Sequence, residues 1–230
     1  MCSSDLIAVI VRKRGDKLSF DFTGTAAQVR GPMNAPLAVT ASACYYVVLA
    51  LAGGSVPPNS GAYRQVTINA PPGSLLNAQY PAPVVAANTE MSSRVVDLIL
   101  AALDPALGDD AIGGSYGCAG VWTVGGYDPV RERPFVHLET VGGGMGASSD
   151  RPGLDGHRVH MGNTMCLPVE SVEASTPVRI EEFSLIEDSG GAGLHRGGAG
   201  ARRVIRALAD NLSFSLLFER AFNPAPGARG

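Results

Sequence analysis

Asp188-Ser-Gly-Gly-Ala-Gly-Leu-His-Arg-Gly-Gly-Ala-Gly200 is the stretch that most constrains the fold of this 230-residue chain. Six of its thirteen residues are glycine, and an acid, a hydroxyl, an imidazole and a guanidinium stand among them. Glycine loses more conformational entropy on folding than any other residue, so this density is typical of places where backbone must approach something closely or adopt a positive φ. A second cluster, Gly142-Gly-Gly-Met-Gly146, lies upstream. Together the two clusters predict a site, or part of one.

Each cluster has two interpretations. The backbone N–H groups of 188–200 could form a nest for a phosphate or a developing oxyanion, with Arg196 adding a bidentate donor. The alternative is a set of tight turns in which Asp188 pairs with Arg196. Gly142–Gly146 follows a predicted strand, where it brings backbone close to a substrate or neighbouring chain, or forms a glycine bulge. Neither cluster is a P-loop, because no Gly-Lys-Ser/Thr follows.

The composition narrows the class of partner. Charged residues make up 17% of the chain and apolar residues 45%, which indicates that much of the surface is buried against something. The net charge is −3 with no basic run, which argues against nucleic acid. No apolar run is long enough to span a bilayer. The four cysteines are widely spaced without a C-x-x-C pair, so we expect reduced thiols and a cytoplasmic location.

Strand and helix patterns mix along the chain without a βαβ rhythm. We therefore predict an α+β fold that is mixed and strand-rich, with two principal helices, and that forms part of a larger subunit. The helices are predicted over Val39–Ala52, capped by Thr40 or Ser42, and over Met91–Leu103, ended by Asp104-Pro105.

The predicted strands follow alternating or apolar runs. They are a hairpin over Ile7–Val11 and Leu18–Phe22, single strands over Tyr63–Asn69, Phe135–Thr140 and Val178–Ile186, and a second hairpin over Arg203–Leu208 and Leu212–Phe218. No break in composition divides the chain, so residues 7–230 are expected to belong to one domain.

The first six residues have an unusual origin in our interpretation. Met-Cys-Ser-Ser-Asp-Leu joins abruptly to what looks like the middle of a strand. The same six residues result from translating a common sequencing adapter from a GTG start. We therefore expect residues 1–6 to be non-native, with native sequence beginning near Leu6 or Ile7.

His157 and His160 are spaced three apart. On a helix they would face one way and could bind a metal, completed by Glu170 and Glu173. Asp155-Gly156 favours a turn instead, in which the histidines belong to a solvated loop and the glutamates to a short polar helix.

A nucleophilic triad has little support in the sequence. Ser189 and Cys166 are the nucleophiles near the glycine clusters, and neither has an evident base nearby in the chain. His137 falls within a predicted strand, which favours a packed or paired strand residue.

Many short blocks follow one another in an order that matches a known family. They are Asp21-Phe-Thr-Gly-Thr25, Gly31-Pro-Met-Asn-Ala-Pro36, Asn59-Ser-Gly61, Pro72-Gly-Ser74, Tyr80-Pro-Ala-Pro83, Thr89–Val95, Gly142–Ala147, Asp155-Gly156, His160-Met-Gly-Asn163, Pro168-Val-Glu170, Glu173, Asp188–Gly193 and Arg196-Gly-Gly198. In these blocks the chain resembles the B subunit of the hydantoinase/oxoprolinase family, which includes acetone carboxylase alpha subunits. The family subunit is far longer, so the resemblance implies a fragment of one hydantoinase B-type domain, truncated at both ends.

The resemblance also implies the chemistry. It implies ATP-dependent hydrolysis of a small cyclic amide, such as 5-oxoproline, hydantoin or N-methylhydantoin, in a hetero-oligomer whose A-type subunit binds ATP. A divalent metal is expected in the full-length subunit, with ligands outside this fragment, so no metal ligand is carried over to this chain. Two alternatives stay open: an acetone carboxylase-type alpha subunit, and a non-catalytic scaffold whose glycine loops are subunit contacts. The fragment alone is expected to be inactive, with neither a membrane nor a nucleic acid as partner.

The resemblance and the glycine clusters together give the expected site residues. The catalytic candidates are His160, Asn163, Glu170 and Arg196. The substrate-binding candidates are Gly142, Gly143, Gly144, Asp188, Ser189, Gly190 and Gly191.

Overall fold

The computed structural model describes residues 6–228, so all but Leu6 of the segment expected to be non-native lies outside the described residues. The chain divides into two compact units, residues 1–112 and 113–230. Both units combine helices with antiparallel strand pairs, which confirms the predicted α+β class. The assignment of residues 7–230 to one domain stays a prediction. Within residues 6–228 no helix has both the length and the apolar character that a membrane span needs.

The first unit contains a three-stranded sheet. Its strands are β1 (Ile10–Arg14), β2 (Lys17–Asp21) and β3 (Val66–Asn69), with β1 antiparallel and β3 parallel to β2. The predicted first hairpin is confirmed. Its strands extend closer to the turn than predicted, because the last pair is Arg14 with Lys17. The turn is only two residues long because Gly15 adopts a φ of 61°, a conformation that glycine reaches without strain.

The helices of the first unit pack beside this sheet. They are α1 (Leu37–Leu51), α2 (Ser60–Tyr63) and α3 (Ser92–Leu107), with a π-helical turn over Ala87–Met91 before α3 and a 3₁₀ turn over Gly108–Asp110 after it. The buried core takes side chains from β2 and the residue after it, and from α1 and α3: Phe20, Phe22, Ala43, Cys44, Val47, Val95, Val96 and Ile99. Burying each of the larger side chains contributes about 1.5–3 kcal/mol.

Two predicted helix boundaries are wrong. Helix α1 begins at Leu37, so Thr40 and Ser42 do not cap it; their hydroxyls donate to the carbonyl oxygens of Leu76 and Ala38. Pro105 does not end α3, which runs on to Leu107. The helix ends where Gly108, at a φ of 59°, donates its N–H to the Asp104 carbonyl.

The second unit holds two antiparallel sheets and one short helix. Its elements are β4 (Val121–Asp128), β5 (Arg133–Thr140), α4 (Val169–Ser175), β6 (Val178–Leu185), β7 (Ala201–Ala207) and β8 (Ser213–Leu217). The sheets have the orders β5-β4-β8 and β6-β7. A core of Trp122, Val124, Val141, Val172 and Val178 forms between these elements.

The predicted second hairpin is wrong, although both of its strands exist. Strand β7 pairs with β6, and β8 pairs with β4. The sequence pattern did not predict β4, because Gly125 and Gly126 interrupt its apolar alternation. Because the prediction lacked β4, the central strand of that sheet, it paired β8 with β7, its neighbour in sequence.

Candidate functional site

Three loops of the second unit lie against one another. We name them the 142 loop (Gly142–Ala147), the 153 loop (Gly153–His157) and the 188 loop (Asp188–Gly200). The first follows β5, and the last connects β6 to β7. The predicted clusters therefore belong to one assembly of backbone, which brings two distant glycine-rich stretches together.

Backbone hydrogen bonds join the three loops. Gly143 and His157 exchange N–H to carbonyl bonds of 3.1 and 2.6 Å across an antiparallel bridge. The Met145 amide donates to Leu154 at 3.1 Å, and the Met145 carbonyl accepts from Gly198 at 2.8 Å. The 142 loop is therefore held between the other two.

The glycines permit this contact because a side chain has no space there. A Cβ on Gly144 would overlap the carbonyl oxygen of Gly198, and one on Gly198 would overlap that of Leu154. A Cβ on Gly142 would overlap the Gly156 carbonyl. The N–H groups of Gly197, Gly198 and Gly200, which were candidates for an anion nest, donate to acceptors within the protein. The packing interpretation accounts for Gly142–Gly144.

An ion pair fastens the 153 loop to the 188 loop. Arg196 donates to both carboxylate oxygens of Asp155, from Nη1 at 2.6 Å and from Nη2 at 2.8 Å, and the Ala199 amide donates to the same carboxylate at 2.7 Å. These bonds hold the pKa of Asp155 well below its usual range, with the Arg196 guanidinium as the largest cause. The pKa of Arg196 is raised in turn by Asp155.

The expected pairing of Asp188 with Arg196 is therefore wrong. Asp188 is exposed at a φ of 53° and contributes only a weaker electrostatic effect on the pKa of Arg196. Asp155 takes the position because it lies on the neighbouring loop, where bidentate geometry is available to it.

The two nucleophiles considered from the sequence have structural contacts. The Ser189 hydroxyl donates to the Ile186 carbonyl at 2.7 Å and accepts from the Gly200 amide at 2.8 Å, which closes the base of the 188 loop. Cys166 is half-buried, with Sγ 4.0 Å from the Thr140 carbonyl oxygen. Neither contact is with a base that would activate the nucleophile.

His160 occupies a tight turn beside a buried serine. The Gly162 amide donates to the Val159 carbonyl at 3.1 Å, and His160 adopts a φ of 54° within that turn. Its Nε2 lies 3.2 Å from Oγ of Ser115, which also accepts from the Gly117 amide at 3.0 Å. This contact joins residues 45 positions apart.

Ser115 was not among the predicted residues, although the sequence carries a signal for it. Gly113-Gly-Ser115-Tyr-Gly117 has the G-x-S-x-G spacing of a nucleophile elbow. That spacing is informative only in a strand-to-helix turn, whereas this segment is irregular and leads into β4. The Ser115 side chain is buried, and its hydroxyl contacts the His160 ring.

The remaining polar candidates lie apart from these contacts. Asn163 is exposed in a loop, and Glu170 is exposed in the first turn of α4; within residues 6–228 neither side chain is hydrogen-bonded. Glu173 accepts from the Ile180 amide at 2.9 Å, so it anchors β6. The short polar helix predicted for the two glutamates is confirmed as α4.

The helical metal-site interpretation of His157 and His160 is wrong. Residues 155–162 form turns and an isolated bridge, because Asp155-Gly156 turns the chain and Gly156 has a φ of 56°. In the described part of the chain, no group of three or more His, Cys, Asp or Glu side chains is placed to hold a metal ion.

A buried cluster that contains an ion pair lies on β4, β5 and β7. Glu139 pairs with Arg203, and both side chains are almost fully buried. The second carboxylate oxygen of Glu139 accepts from the Leu167 amide at 2.9 Å. His137 is confirmed as a strand residue, with its ring 5.0 Å from Trp122. Through the Leu167 amide, Glu139 anchors the chain between Asn163 and the start of α4.

Comparisons with known proteins point to one family. The family model described as Hydantoinase B/oxoprolinase matches residues 2–230. The chain is 38% identical over 212 residues to 5-oxoprolinase 1 of Arabidopsis thaliana, a match that covers 92% of this chain and 16% of that protein. This chain therefore spans about a sixth of the length of that relative.

Two solved structures share the fold. The ATP-dependent caprolactamase from Pseudomonas jessenii superposes with a TM-score of 0.74 at 30% identity, over 87% of this chain and 35% of that one. A nucleotide-free acetone carboxylase superposes with a TM-score of 0.76 at 18% identity, over 90% of this chain and 28% of that one. At that identity the second likeness concerns the fold alone.

Proposed function

This chain belongs to the hydantoinase B/oxoprolinase family, and from that premise we propose that it is part of the B-type component of an ATP-dependent enzyme that opens a small cyclic amide. The single observation that carries the proposal is its likeness to the ATP-dependent caprolactamase, at 30% identity and a TM-score of 0.74. Caprolactam is a cyclic amide. The match to a 5-oxoprolinase supports the same substrate class, since 5-oxoproline is a lactam as well.

An amide carbonyl is a poor electrophile because nitrogen donates electron density into it. We propose that an A-type partner binds ATP and transfers its terminal phosphoryl group to the amide oxygen. Water then adds to the activated carbon, and the ring C–N bond breaks as the nitrogen takes a proton, which leaves an acyl phosphate. A second water hydrolyses the acyl phosphate to the carboxylate of an open-chain amino acid and free phosphate. The balanced reaction consumes ATP and two waters and releases ADP and phosphate.

The proposed roles in this chain follow from what each group can do. Glu170 is exposed and takes the proton of the attacking water, while the amide of Asn163 orients that water. His160 donates a hydrogen bond to the phosphoryl group that activates the carbonyl. Arg196 keeps the 188 loop closed through its ion pair with Asp155.

The substrate-facing part is proposed to be the exposed end of the 188 loop. Asp188, Ser189 and Gly191 are exposed, and Gly190 lies between them half-buried. The 142 loop supports the 188 loop, because the Met145 carbonyl accepts from the Gly198 amide, and the neighbouring Gly197 amide donates to the Gly191 carbonyl. The proposed effect of Gly142, Gly143 and Gly144 on substrate binding is indirect: they hold the 188 loop in position.

A divalent metal is proposed for the complete subunit only. The donor set of residues 6–228 does not fit a metal site, because no three metal-binding side chains converge in it. The roles proposed for His160, Asn163, Glu170 and Arg196 accordingly involve no metal ligation. A cytoplasmic location is proposed as well, because Cys44, Cys118 and Cys166 are thiols rather than disulfides.

The test uses the complete reading frame that encodes these residues, coexpressed with an A-type ATP-binding protein. ADP release and product mass are measured with caprolactam, 5-oxoproline, hydantoin and N-methylhydantoin, and separately with acetone and bicarbonate. We expect ADP release that depends on a cyclic amide, with a product one water heavier than the substrate. Turnover of acetone with bicarbonate but of no cyclic amide would establish the carboxylase alternative. A stable complex that turns over none of these substrates would support the non-catalytic scaffold alternative.

A further inference from the structure

We propose that Glu173 is a positioning residue for Glu170, a role that rests on the proposed function. Both carboxylates belong to α4, and they have different tasks. Glu173 fixes the helix by accepting a hydrogen bond from the strand that follows it, and Glu170 takes the proton of the attacking water. The way in which this short helix is held supports the division.

Helix α4 depends on its surroundings for its geometry. It has only seven residues, Val169–Ser175, and isolated helices shorter than about 12–15 residues are only marginally stable in water. It begins after Pro168, whose side chain cannot accept a capping hydrogen bond. The direction in which Glu170 points is therefore set by contacts between α4 and the strands around it.

Two side chains of α4 fix its rotation about its own axis. Val172 is fully buried in the core of the second unit. Glu173 is half-buried and accepts from the Ile180 amide of β6 at 2.9 Å. Because successive residues are about 100° apart around a helix, Glu170 lies about 160° from Val172 and about 60° from Glu173. A helix held by these two contacts keeps Glu170 on its outer side, where it is exposed.

Two further contacts hold the ends of α4 to the β4–β5 hairpin. Before the helix, the Leu167 amide donates to Glu139 of β5 at 2.9 Å. At its end, Arg131 in the hairpin turn donates from Nη2 to the Ala174 carbonyl, which belongs to the last turn, where carbonyl groups lack partners within the helix. Buried Asp128 in turn accepts from Nη1 of Arg131 at 2.6 Å. With its ends attached, α4 keeps rotation as its main freedom, and the bond to β6 restricts it.

The spacing of the two carboxylates makes Glu173 an effective support for Glu170. Residues three apart on a helix are neighbours, with Cβ atoms about 5–6 Å apart, so a rotation that frees Glu173 displaces Glu170 directly. A general base must lie within hydrogen-bond reach of the water whose proton it takes. A misplacement of about 1 Å can lower a rate by about 10²-fold. Turnover is therefore expected to depend on the bond that Glu173 makes.

The first test measures the anchor by amide hydrogen exchange at Ile180 and Thr176 in the complete protein. We expect faster exchange in Glu173→Ala and nearly wild-type exchange in Glu173→Gln, because the amide oxygen of glutamine can accept the same bond. Glu181→Ala is the control, since it removes the neighbouring carboxylate, which pairs with the exposed Arg206. An Ile180 amide that is unprotected in the wild type overturns the proposal, whichever variants fold, and so does unchanged exchange in Glu173→Ala.

The second test is a double-mutant cycle on turnover in the complete enzyme. Glu170→Gln removes the proposed base and should lower kcat by about 10²–10⁴-fold. Glu173→Ala should lower kcat by about tenfold or more with KM little changed, and Glu173→Gln should retain the rate. Once the base is absent, its position no longer matters to proton transfer. The double variant Glu170→Gln/Glu173→Ala should therefore be no slower than Glu170→Gln alone.

The readouts distinguish the ways in which the inference can fail. If exchange accelerates in Glu173→Ala while kcat stays the same, Glu173 anchors β6 without positioning the base. If the double variant is slower than Glu170→Gln, Glu173 acts on the enzyme by a route other than Glu170. If Glu170→Gln keeps the wild-type rate, neither carboxylate has its proposed task. If the complete enzyme turns over no cyclic amide, the proposed function fails and the positioning role fails with it, while exchange at Ile180 still shows whether α4 is anchored.

Discussion

Asp155 and Arg196, which lie 41 residues apart in the sequence, form a bidentate ion pair with nitrogen–oxygen distances of 2.6 and 2.8 Å. The carboxylate also accepts from the Ala199 amide. A planar guanidinium matches a carboxylate through two parallel bonds, which a lysine ammonium does not reproduce. The pair therefore sets the geometry between the 153 and 188 loops as well as holding them together.

We expect Arg196→Lys to loosen the 188 loop almost as much as Arg196→Ala does, because the second bond is lost in both. The measurement is amide hydrogen exchange at Gly153, Gly156 and Ala199, whose N–H groups bond across the two loops. Exchange at these positions should accelerate in both variants. Arg151→Ala is the control, because the Arg151–Asp150 pair is exposed, with its atoms 3.7 Å apart. If Arg151→Ala accelerated exchange at these three amides as much as the Arg196 variants do, the Asp155–Arg196 pair would not be what holds the loops.

Acid should weaken the same loop pairing. The folded-state pKa of Asp155 lies below that of the unfolded chain, so its contribution to stability is complete above the unfolded value, about 3.9, and disappears as pH falls toward the folded value. We expect Asp155→Asn to be less stable than the wild type at pH 6, with the difference shrinking below about pH 4.

Urea unfolding at a series of pH values measures this difference. Glu187→Gln is a matched control, since Glu187 is exposed beside the same loop. A gap between wild type and Asp155→Asn that stays constant from pH 6 to pH 2 would mean that the carboxylate charge is not what holds the loops.

These contacts separate what the sequence could predict from what it could not. The first hairpin was predictable because Gly15-Asp16 is a local turn signal, and α4 because its polar pattern is local. Strand β4 was missed because Gly125 and Gly126 hide its alternation. The partner of β8 and the partner of Arg196 both depend on residues distant in the chain, which no local pattern encodes.

The candidate site shows the same limit. The glycine clusters predicted that the backbone approaches something closely. In the structure, the backbone of each glycine-rich loop approaches the backbone of its neighbouring loops. Ser115 carries a recognisable spacing, but its partner His160 is 45 residues away. Residue type and spacing thus indicated where chemistry is concentrated, while the pairs that arrange it required the fold.

Gly198 should tolerate no side chain. A Cβ at Gly198 would overlap the backbone oxygen of Leu154 and approach the Met145 amide, and backbone cannot move aside as a flexible side chain can. We expect Gly198→Ala to lower the free energy of unfolding by about 1–3 kcal/mol or more. Gly191→Ala is the control, since a Cβ there meets nothing within 4 Å, and it should change stability by less than about 0.5 kcal/mol. Equal stabilities in urea unfolding would contradict the packing assigned to the 188 loop.

The Glu139–Arg203 pair should be costly to break from one side. Both side chains are at most 4% exposed, so Glu139→Gln leaves a buried guanidinium without its counter-charge. We expect a loss of about 3–5 kcal/mol in the free energy of unfolding. The double variant Glu139→Gln/Arg203→Met should recover part of that loss, because no unpaired charge remains.

An exposed pair on the second sheet provides the comparison. Arg206 and Glu181 form an ion pair at 2.7 Å with the arginine side chain 61% exposed. Arg206→Ala should cost no more than about 1 kcal/mol, since water screens the pair. A similar loss for Arg206→Ala and Glu139→Gln in urea unfolding would mean that the Glu139 pair is solvated in solution.

Turnover in the complete enzyme distinguishes a catalytic segment from a scaffold. His160→Ala removes the proposed donor and should lower kcat by about 10²–10³-fold, while His157→Ala, which keeps the same backbone bridge to Gly143 and alters only an exposed ring, should leave it within about twofold. Arg196→Ala should lower kcat and also release the 188 loop, and Arg202→Ala is its exposed control on β7. If His160→Ala and Arg196→Ala both leave turnover unchanged while Arg196→Ala accelerates exchange in the loops, the glycine loops serve assembly. Catalysis would then depend on residues elsewhere in the enzyme.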